Sequence, residues 1–188
     1  MFTGIVQATG TIVRVAPLEI ECPALDRADV AVGDSICVQG VCLTVTGLTP
    51  GGFRADVSEE TRRVTAGLVH AGASVNLEKS IALGERLGGH LVTGHVDGVG
   101  EVLTFAGGVL RVRAPRELAR YIARKGSICV DGVSLTVNRV EGEAFEVFLI
   151  PHTQTVTTLG RLASGSRVNL EVDLIARYVD RLLSTRAS

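Results

Sequence analysis

One phrase of eleven residues occurs twice in this chain. "SICVQGVCLTV" occupies residues 35–45 and "SICVDGVSLTV" occupies residues 127–137, with nine of the eleven positions identical. Flanking matches keep nearly the same offset: "TGIV" at 3–6 matches "TGHV" at 93–96, and "SVNLE" at 74–78 matches "RVNLE" at 167–171. A period this long, repeated twice in 188 residues, predicts two tandem domains rather than a solenoid of short units.

Each half has the pattern of short β-strands. In "VCLTV", Val41, Leu43 and Val45 share one face while Cys42 and Thr44 share the other, because side chains alternate along a strand. The second copy alternates in the same way, and "QG" and "DG" before these runs are turn signals. Abundant glycine, at 22 residues, also favours strands joined by tight turns. We therefore expect an all-β fold of two six-stranded Greek-key barrels, each filled by its own side chains.

The repeat also sets the expected boundaries. An N-terminal barrel over 1–87 and a C-terminal barrel over 88–173 leave a tail, 174–188, that has no copy in the first half. That tail predicts a helix with one apolar stripe, formed by Leu174, Ile175, Tyr178, Val179, Leu182 and Leu183. The stripe either docks on its own barrel or packs against the same helix in other subunits; the second is favoured because so short a helix is marginal alone. "PRELARYIARKG" at 115–126 predicts a further helix.

Composition excludes several classes of protein. A net charge of −1 without a basic stripe argues against nucleic-acid binding. No apolar run approaches 18 residues and no signal peptide is visible, so we expect a cytoplasmic protein without a membrane partner. The four cysteines show no CxxC spacing, which predicts reduced thiols rather than a disulfide framework.

The two copies differ at a few polar positions, which are either drift or the places where function separates the halves. Histidine can transfer protons near neutral pH, and cysteine is a strong nucleophile. Positions where one copy has histidine or cysteine and the other does not are therefore candidates for catalysis. His90 and His95 flank "LVTG", but they fit no standard ligand spacing, and we predict no metal. The differing pairs are Ile5 and His95, Gln39 and Asp131, Cys42 and Ser134, and Glu60 and His152.

Six motifs in order resemble those of the riboflavin synthases of the trimeric α type. They are "MFTGIV" at the start, "GVCLTVT" from Gly40, "GGHLVTGHVDG" from Gly88, "KGSICVDGVSLTV" from Lys125, "LIPHT" from Leu149 and "GSRVNLEVD" from Gly165. Together they extend over nearly the whole chain.

The resemblance implies a fold and a reaction. Members of that family have two six-stranded barrels and a C-terminal helix through which they form homotrimers. They bind two molecules of 6,7-dimethyl-8-ribityllumazine and transfer a four-carbon unit from one to the other. The products are riboflavin and 5-amino-6-(D-ribitylamino)uracil, in the last step of riboflavin biosynthesis. No cofactor or metal is implied, and the active site lies between the N-terminal barrel of one subunit and the C-terminal barrel of its neighbour.

The same resemblance implies site residues. The implied catalytic set is His95, Cys42, Ser134, Thr136 and Asp173, the last of which is alternatively the N-cap of the tail helix. The first-barrel pocket would use Cys42, Leu43, Thr44, Asp56, Val57, Ser58, Glu59, Glu60, Thr61, Gly94, His95 and Val96, with Lys125 from a partner subunit. The second would use Gly4, Ile5, Val6, Ser134, Leu135, Thr136, Phe148, Leu149, Ile150, Pro151, His152 and Thr153. Each pocket would thus borrow a segment from the other copy.

Two departures and two rival functions remain. Position 39 is Gln where the motif suggests Asn, and position 79 is Lys where Arg is commoner. Of the two changes, Gln39 is the one that could alter the geometry of a pocket, and its effect is left open. One rival is a non-catalytic lumazine- or flavin-binding protein, although the reactive groups are retained here. The other is a flavin-dependent reductase barrel, for which 188 residues leave no room for a nicotinamide domain.

Overall fold

The repeat appears as two closed barrels with the same strand order. Residues 1–184 are the part of the chain that this computed structural model describes. In both barrels the strands are antiparallel and the third and fourth form a hairpin. The first barrel, in the order β1-β2-β5-β4-β3-β6, is built from Ala8–Val15 (β1), Leu18–Glu21 (β2), Ser35–Val38 (β3), Val41–Thr49 (β4), Gly52–Ala55 (β5) and Ser74–Lys79 (β6). The second, in the order β7-β8-β11-β10-β9-β12, is built from Gly98–Ala106 (β7), Val109–Arg113 (β8), Ser127–Val130 (β9), Val133–Glu141 (β10), Ala144–Phe148 (β11) and Arg167–Val172 (β12). The predicted fold class is confirmed.

Each barrel has a separate core, as the alternating pattern predicts. In β4, Val41, Leu43 and Val45 are buried in the first core, whereas Cys42 is half-buried and Thr44 is exposed on the outer face. β10 repeats this arrangement in the second core. Because these interiors are filled by side chains, a ligand must bind on the outside or at the rim of a barrel.

The two repeated phrases meet where the barrels join. Each phrase forms a hairpin whose turn begins with a residue in the left-handed region, Gln39 at φ 51° and Asp131 at φ 50°. The following glycines lie against each other, since a Cβ on Gly40 would come 2.9 Å from the Gly132 nitrogen. Both Gln39 and Asp131 are buried. The difference between the phrases at this position therefore lies at the junction of the two barrels.

A hydrogen-bond network joins the barrels around these turns. The Asn76 side chain donates to the Asp131 carbonyl at 2.9 Å, and the Asn169 side chain donates to the Gln39 carbonyl at 2.8 Å. The Asn169 backbone N–H donates to the Asp131 carboxyl at 2.7 Å. Burial raises the pKa of Asp131 to about 7, although hydrogen bonds from Asn169 and Gln39 oppose the rise.

Asp131 should make the stability of the protein depend on pH. With a folded-state pKa above its unfolded value, this carboxyl keeps its proton in the folded protein while the unfolded chain releases it. Its contribution to stability is therefore complete below about pH 4 and is lost as the pH rises through about 7. Between pH 4 and 8, the free energy of unfolding should fall by about 2–4 kcal/mol more in the wild type than in Asp131→Asn.

Urea unfolding across this pH range measures the difference. The surface variant Glu117→Gln is the control and should follow the wild-type curve. Equal pH slopes in the wild type and Asp131→Asn would show that Asp131 ionises without penalty in the folded protein.

Three α-helices occur in the described residues: Glu59–Val64 (α1), Pro151–Val156 (α2) and Leu174–Ser184 (α3). The tail helix is confirmed over 174–184, and residues 185–188 lie outside the described residues. The expected helix over 115–126 is wrong, because only a 3₁₀ turn, Ala119–Tyr121, forms there. Leu118 and Ile122, on either side of this turn, pack into the second core instead. No helix within residues 1–184 is long and apolar enough to cross a membrane.

Polar contacts hold α3 to its own barrel, and its apolar stripe is exposed. Arg177 donates to the Asp97 carboxylate at 2.7 Å, and Asp180 accepts a hydrogen bond from Tyr121 at 2.9 Å. On the stripe, Ile175 is 64% and Leu182 is 66% exposed. The stripe therefore does not dock on its own barrel, which was one of the two alternatives.

Candidate functional site

A cavity of about 180 Å³ lies on the outside of the first barrel. Cys42, on the outer face of β4, forms one wall, and Thr61 and Val64 of α1 form another. Ser58 positions α1 as its N-cap, because its side chain accepts a hydrogen bond from the Thr61 N–H at 3.0 Å. The remaining wall is the segment Gly94, His95 and Val96, which comes from the second copy of the repeat.

A matching cavity of about 220 Å³ lies on the outside of the second barrel. Ser134 on β10 takes the place of Cys42, and Thr153 and Val156 of α2 take the places of Thr61 and Val64. Pro151 begins α2 at its first turn, where its missing N–H costs nothing. The closing wall is the N-terminal segment Gly4, Ile5 and Val6.

The segments that close these cavities cross between the barrels. Phe2 and Val92 pair in an antiparallel bridge, with the Phe2 N–H donating to the Val92 carbonyl at 2.7 Å. Beyond this bridge, Val6 packs against the second core and Val96 against the first. The structure thus has the exchange of segments that the resemblance implied. Residues 94–96 serve the first barrel even though they belong to the second copy of the repeat.

The two cavities have the same framework and differ chemically at only a few side chains. The first presents a thiol at Cys42, an imidazole at His95 and a carboxylate at Glu60. The second presents the hydroxyl of Ser134, the imidazole of His152 and three half-exposed apolar groups, Ile5, Ile150 and Val156. One cavity is therefore more reactive in character and the other more apolar, on a shared frame.

Several predicted site residues do not line either cavity. Leu43, Leu135 and Leu149 are buried in the barrel cores. Thr44 and Thr136 are exposed on the outer strand faces, next along from Cys42 and Ser134. The remaining predicted residues in this group also lie outside the cavities. Near the first cavity, Asp56, Ser58 and Glu59 are exposed, and Val57 packs against the first core. Near the second cavity, Phe148 and Pro151 are exposed.

Lys125 and Asp173 also lie outside both cavities. Lys125 is exposed in the turn before β9, with a left-handed φ of 68°. The Asp173 side chain accepts a hydrogen bond from the Ile175 N–H at 2.9 Å, so it caps α3 as its alternative role predicted. Its carboxylate is also near enough to act on the charge of His90.

His90 is a candidate functional residue that the sequence analysis did not predict. Its Nδ1 lies 2.7 Å from the Ser134 hydroxyl, while its Nε2 is buried with no hydrogen-bond partner among the described residues. Burial lowers the pKa of His90, and the nearby Asp173 charge opposes this effect. A neutral imidazole therefore stands behind the hydroxyl of the second cavity.

A further cavity, of about 370 Å³, lies at neither place. It lies beside the N-terminal segment and is lined by Ile5, Lys79, Arg86 and others. Lys79 is already bonded to Asp29 at 2.6 Å. This cavity is larger than the other two but lacks their matched counterpart and their reactive groups.

Comparison with known proteins identifies the family. A family model of the lumazine binding domain matches residues 3–80 and again 93–173. The chain is 50% identical to the riboflavin synthase of Mycobacterium bovis, over 97% of this chain and 98% of that protein. It is 44% identical to that of Photobacterium phosphoreum, over 97% and 89%, and 40% identical to that of Bacillus subtilis, over 97% and 90%.

Solved structures agree with the sequence comparison. LumP complexed with riboflavin matches at a TM-score of 0.80 and 26% identity, covering 92% of this chain and 99% of LumP. LumP complexed with 6,7-dimethyl-8-(1'-D-ribityl)lumazine matches at a TM-score of 0.79 with the same identity and coverage. With two lumazine-binding repeats and this identity over nearly its full length, the chain belongs to the riboflavin synthase family.

Proposed function

We propose that this chain converts two molecules of 6,7-dimethyl-8-ribityllumazine into riboflavin and 5-amino-6-(D-ribitylamino)uracil. The observation that carries the proposal is the pair of matched cavities, each on the outside of one barrel and each closed by a segment of the other copy. Two copies of one substrate need two similar pockets. Because they play different parts in the reaction, donor and acceptor, the pockets must differ in a few polar groups.

Most of the acceleration comes from holding the two rings together. The reaction is bimolecular in one substrate, and fixing both molecules in a reactive orientation removes a large entropic barrier. The chain supplies few aromatic side chains, 4% of its residues, so the rings stack on each other rather than on protein. No cofactor is assigned in this scheme, since the transferred four carbons come from one substrate and are accepted by the other.

The first cavity carries the proton transfer. A proton must leave the 7-methyl group of one lumazine, and an imidazole close to that carbon assists its movement. His95 is exposed at the wall of this cavity, opposite the outer face of β4 that presents Cys42. Cys42 then positions the ring or adds to it, and Thr61 and Glu60 of α1 offer hydrogen-bonding groups to the ligand.

The second cavity holds the other ring. Its apolar wall of Ile5, Ile150 and Val156 packs on the ring faces, and Ser134, supported by His90, donates or accepts a hydrogen bond at the edge. Thr136, Phe148 and the other exposed residues predicted for this pocket contact the ribityl chain of the ligand. Asp173 acts on this pocket through His90.

The working enzyme is a homotrimer in this proposal. The exposed stripe of α3 packs against the same stripe in two other subunits, because five large apolar side chains exposed along one face of the helix are costly in water. The first cavity of one subunit then faces the second cavity of its neighbour, and Lys125 reaches the first cavity from that neighbour. The proposed domains are an N-terminal barrel over 1–87 and a C-terminal barrel over 88–173, with 174–188 for assembly. We place the enzyme in the cytoplasm, where its four free cysteines stay reduced.

A product assay tests the function directly. The purified chain is mixed with 6,7-dimethyl-8-ribityllumazine alone, and the absorbance spectrum is followed. The proposal predicts loss of the lumazine band and formation of riboflavin, half a mole for each mole of substrate. Binding of the lumazine without any riboflavin would favour the rival function, a non-catalytic binder with the fold of LumP.

A further inference from the structure

Glu78, on β6 of the first barrel, holds the N-terminal segment through three hydrogen bonds. Its carboxylate accepts from the Thr3 N–H at 2.7 Å, from the Thr3 hydroxyl at 2.7 Å and from the Gly4 N–H at 2.9 Å. Glu78 is only 4% exposed. Burial raises the pKa of Glu78, and these hydrogen bonds oppose the rise.

Glu171, on β12 of the second barrel, does the same for the other segment. It accepts from the Thr93 N–H at 2.7 Å, from the Thr93 hydroxyl at 2.7 Å and from the Gly94 N–H at 2.9 Å. It is 3% exposed. The six distances match pair by pair, so the two arrangements are the same device used twice.

Each held segment in turn contacts the reactive strand of the opposite pocket. The Gly94 carbonyl accepts from the Cys42 N–H at 2.8 Å, and the Gly4 carbonyl accepts from the Ser134 N–H at 2.8 Å. The fit is close, since a Cβ on Gly94 would lie 2.7 Å from the Cβ of Cys42. Glu171 therefore fixes the segment that ends in His95, and Glu78 fixes the segment that ends in Ile5.

We propose that Glu78 and Glu171 are positioning residues of the reaction, and that each acts on the pocket of the opposite barrel. This inference rests on the proposed function for its effect on catalysis. Glu171, in the second barrel, sets the distance of His95 from the ring bound beside Cys42. Glu78, in the first barrel, sets the shape of the apolar wall beside Ser134.

A carboxylate suits this task better than an amide. Two oxygens with free lone pairs can accept all three hydrogen bonds at once, whereas glutamine offers one oxygen and turns its NH₂ toward a third donor. Glu→Gln keeps the size of the side chain while removing the bond to Gly94 or Gly4. A hydrogen bond to a charged group is among the stronger ones in a protein, so the held segment should loosen.

The reactivity of the Cys42 thiol reports on the first pocket without any ligand. Cys42 is half-buried, whereas Cys22, Cys37 and Cys129 are buried, so a maleimide should label Cys42 first. Glu171→Gln should raise its labelling rate by about tenfold. Glu78→Gln should leave that rate within about twofold of wild type, because its contacts are in the other pocket.

The mirror experiment uses the second pocket. In a Cys42→Ser, Ser134→Cys chain, the new thiol lies beside Gly4, and the effects of the two variants should exchange. Glu78→Gln should now accelerate labelling by about tenfold, while Glu171→Gln should not. Equal acceleration by both variants in either chain would mean that the glutamates only hold the barrels together, and no acceleration would mean that the segments are held by other contacts.

Turnover completes the test. Glu171→Gln should lower kcat for riboflavin formation by about tenfold, with a far smaller effect in the His95→Gln background, because the glutamate acts through His95. Additive losses in the double variant would overturn the assignment. Thr93→Val removes one of the three hydrogen bonds to Glu171 and should lower kcat less than Glu171→Gln does. This variant replaces Glu171→Gln in the test if Glu171→Gln does not fold. If the wild-type chain forms no riboflavin, the proposed function is wrong, and so is the catalytic role of the two glutamates. The labelling rates of the thiols would still show whether the glutamates position the two segments.

Discussion

Replacement of His95 by glutamine is expected to lower turnover by about 10²–10⁴-fold, the usual contribution of a general acid–base group. His95 lies at the wall of the first cavity and stands where the first copy of the repeat has Ile5. Glutamine keeps a hydrogen-bonding end but cannot move a proton, so ligand binding should survive. Single-turnover riboflavin formation measures the chemical step, and a fluorescence titration measures the affinity separately.

His70 offers a matched control for this change. It is exposed in the loop before β6 and lines neither cavity. His70→Gln should therefore turn over like the wild type. If His95→Gln also turns over at the wild-type rate, the polar differences between the two pockets are drift, and the reactive pocket has been wrongly assigned.

Removal of the tail after Asp173 should give folded monomers with little activity. The barrels have their own cores and do not use the apolar stripe of α3, on which Ile175 and Leu182 are more than half exposed. The truncated chain should keep its circular dichroism spectrum but sediment as a monomer. Riboflavin formation should be nearly lost, because in the proposed trimer the two cavities that hold one substrate pair belong to different subunits.

A chain that ends at Ser184 is the control for this truncation. It keeps the whole of α3 and loses only residues 185–188, so it should remain a trimer with wild-type activity. A chain that ends at Asp173 and still sediments as a trimer would show that another surface forms the assembly.

The barrels could be predicted from the sequence because two independent patterns agreed. The long repeat indicated two domains, and the alternation along residues 41–45 and 133–137 indicated which face of each strand is buried. Both patterns reflect packing, which leaves a periodic trace in the sequence. The exchange of segments came only from the family resemblance, since nothing in the local pattern distinguishes "TGIV" from any other strand start.

The short helices escaped prediction for a physical reason. α1 and α2 have six residues each, which is too short for helical periodicity to appear and too short to be stable alone. Their signals were local: Ser58 as a cap before Glu59 and Glu60, and Pro151 at a first turn. Conversely, 115–126 carries a helix-like pattern, but the packing of Leu118 and Ile122 into the second core overrides a weak propensity.

Glu78 and Glu171 were not predicted from the sequence, because only positions that differ between the two copies of the repeat indicated a function. The two glutamates occupy the same position in the two copies, in "SVNLE" and "RVNLE". Such identity indicates a shared structural role and gives no sign of a role in a pocket. His90 was considered only as a metal ligand, because no pattern in the sequence shows that its ring meets Ser134. Gln39 differs from its counterpart Asp131, and both residues lie buried at the junction of the barrels.

In the proposed trimer, each active site is shared between the first cavity of one subunit and the second cavity of another. Thr61→Trp should fill the first cavity and Thr153→Trp the second, since these residues hold matching places in α1 and α2. Each variant alone should be inactive. When the two are co-expressed and assemble at random, about a quarter of the shared sites should pair two intact cavities, and riboflavin formation should recover to that extent. If both variants are inactive alone and their co-assembled oligomers are inactive too, each subunit would use only its own two cavities, and the shared site would be contradicted.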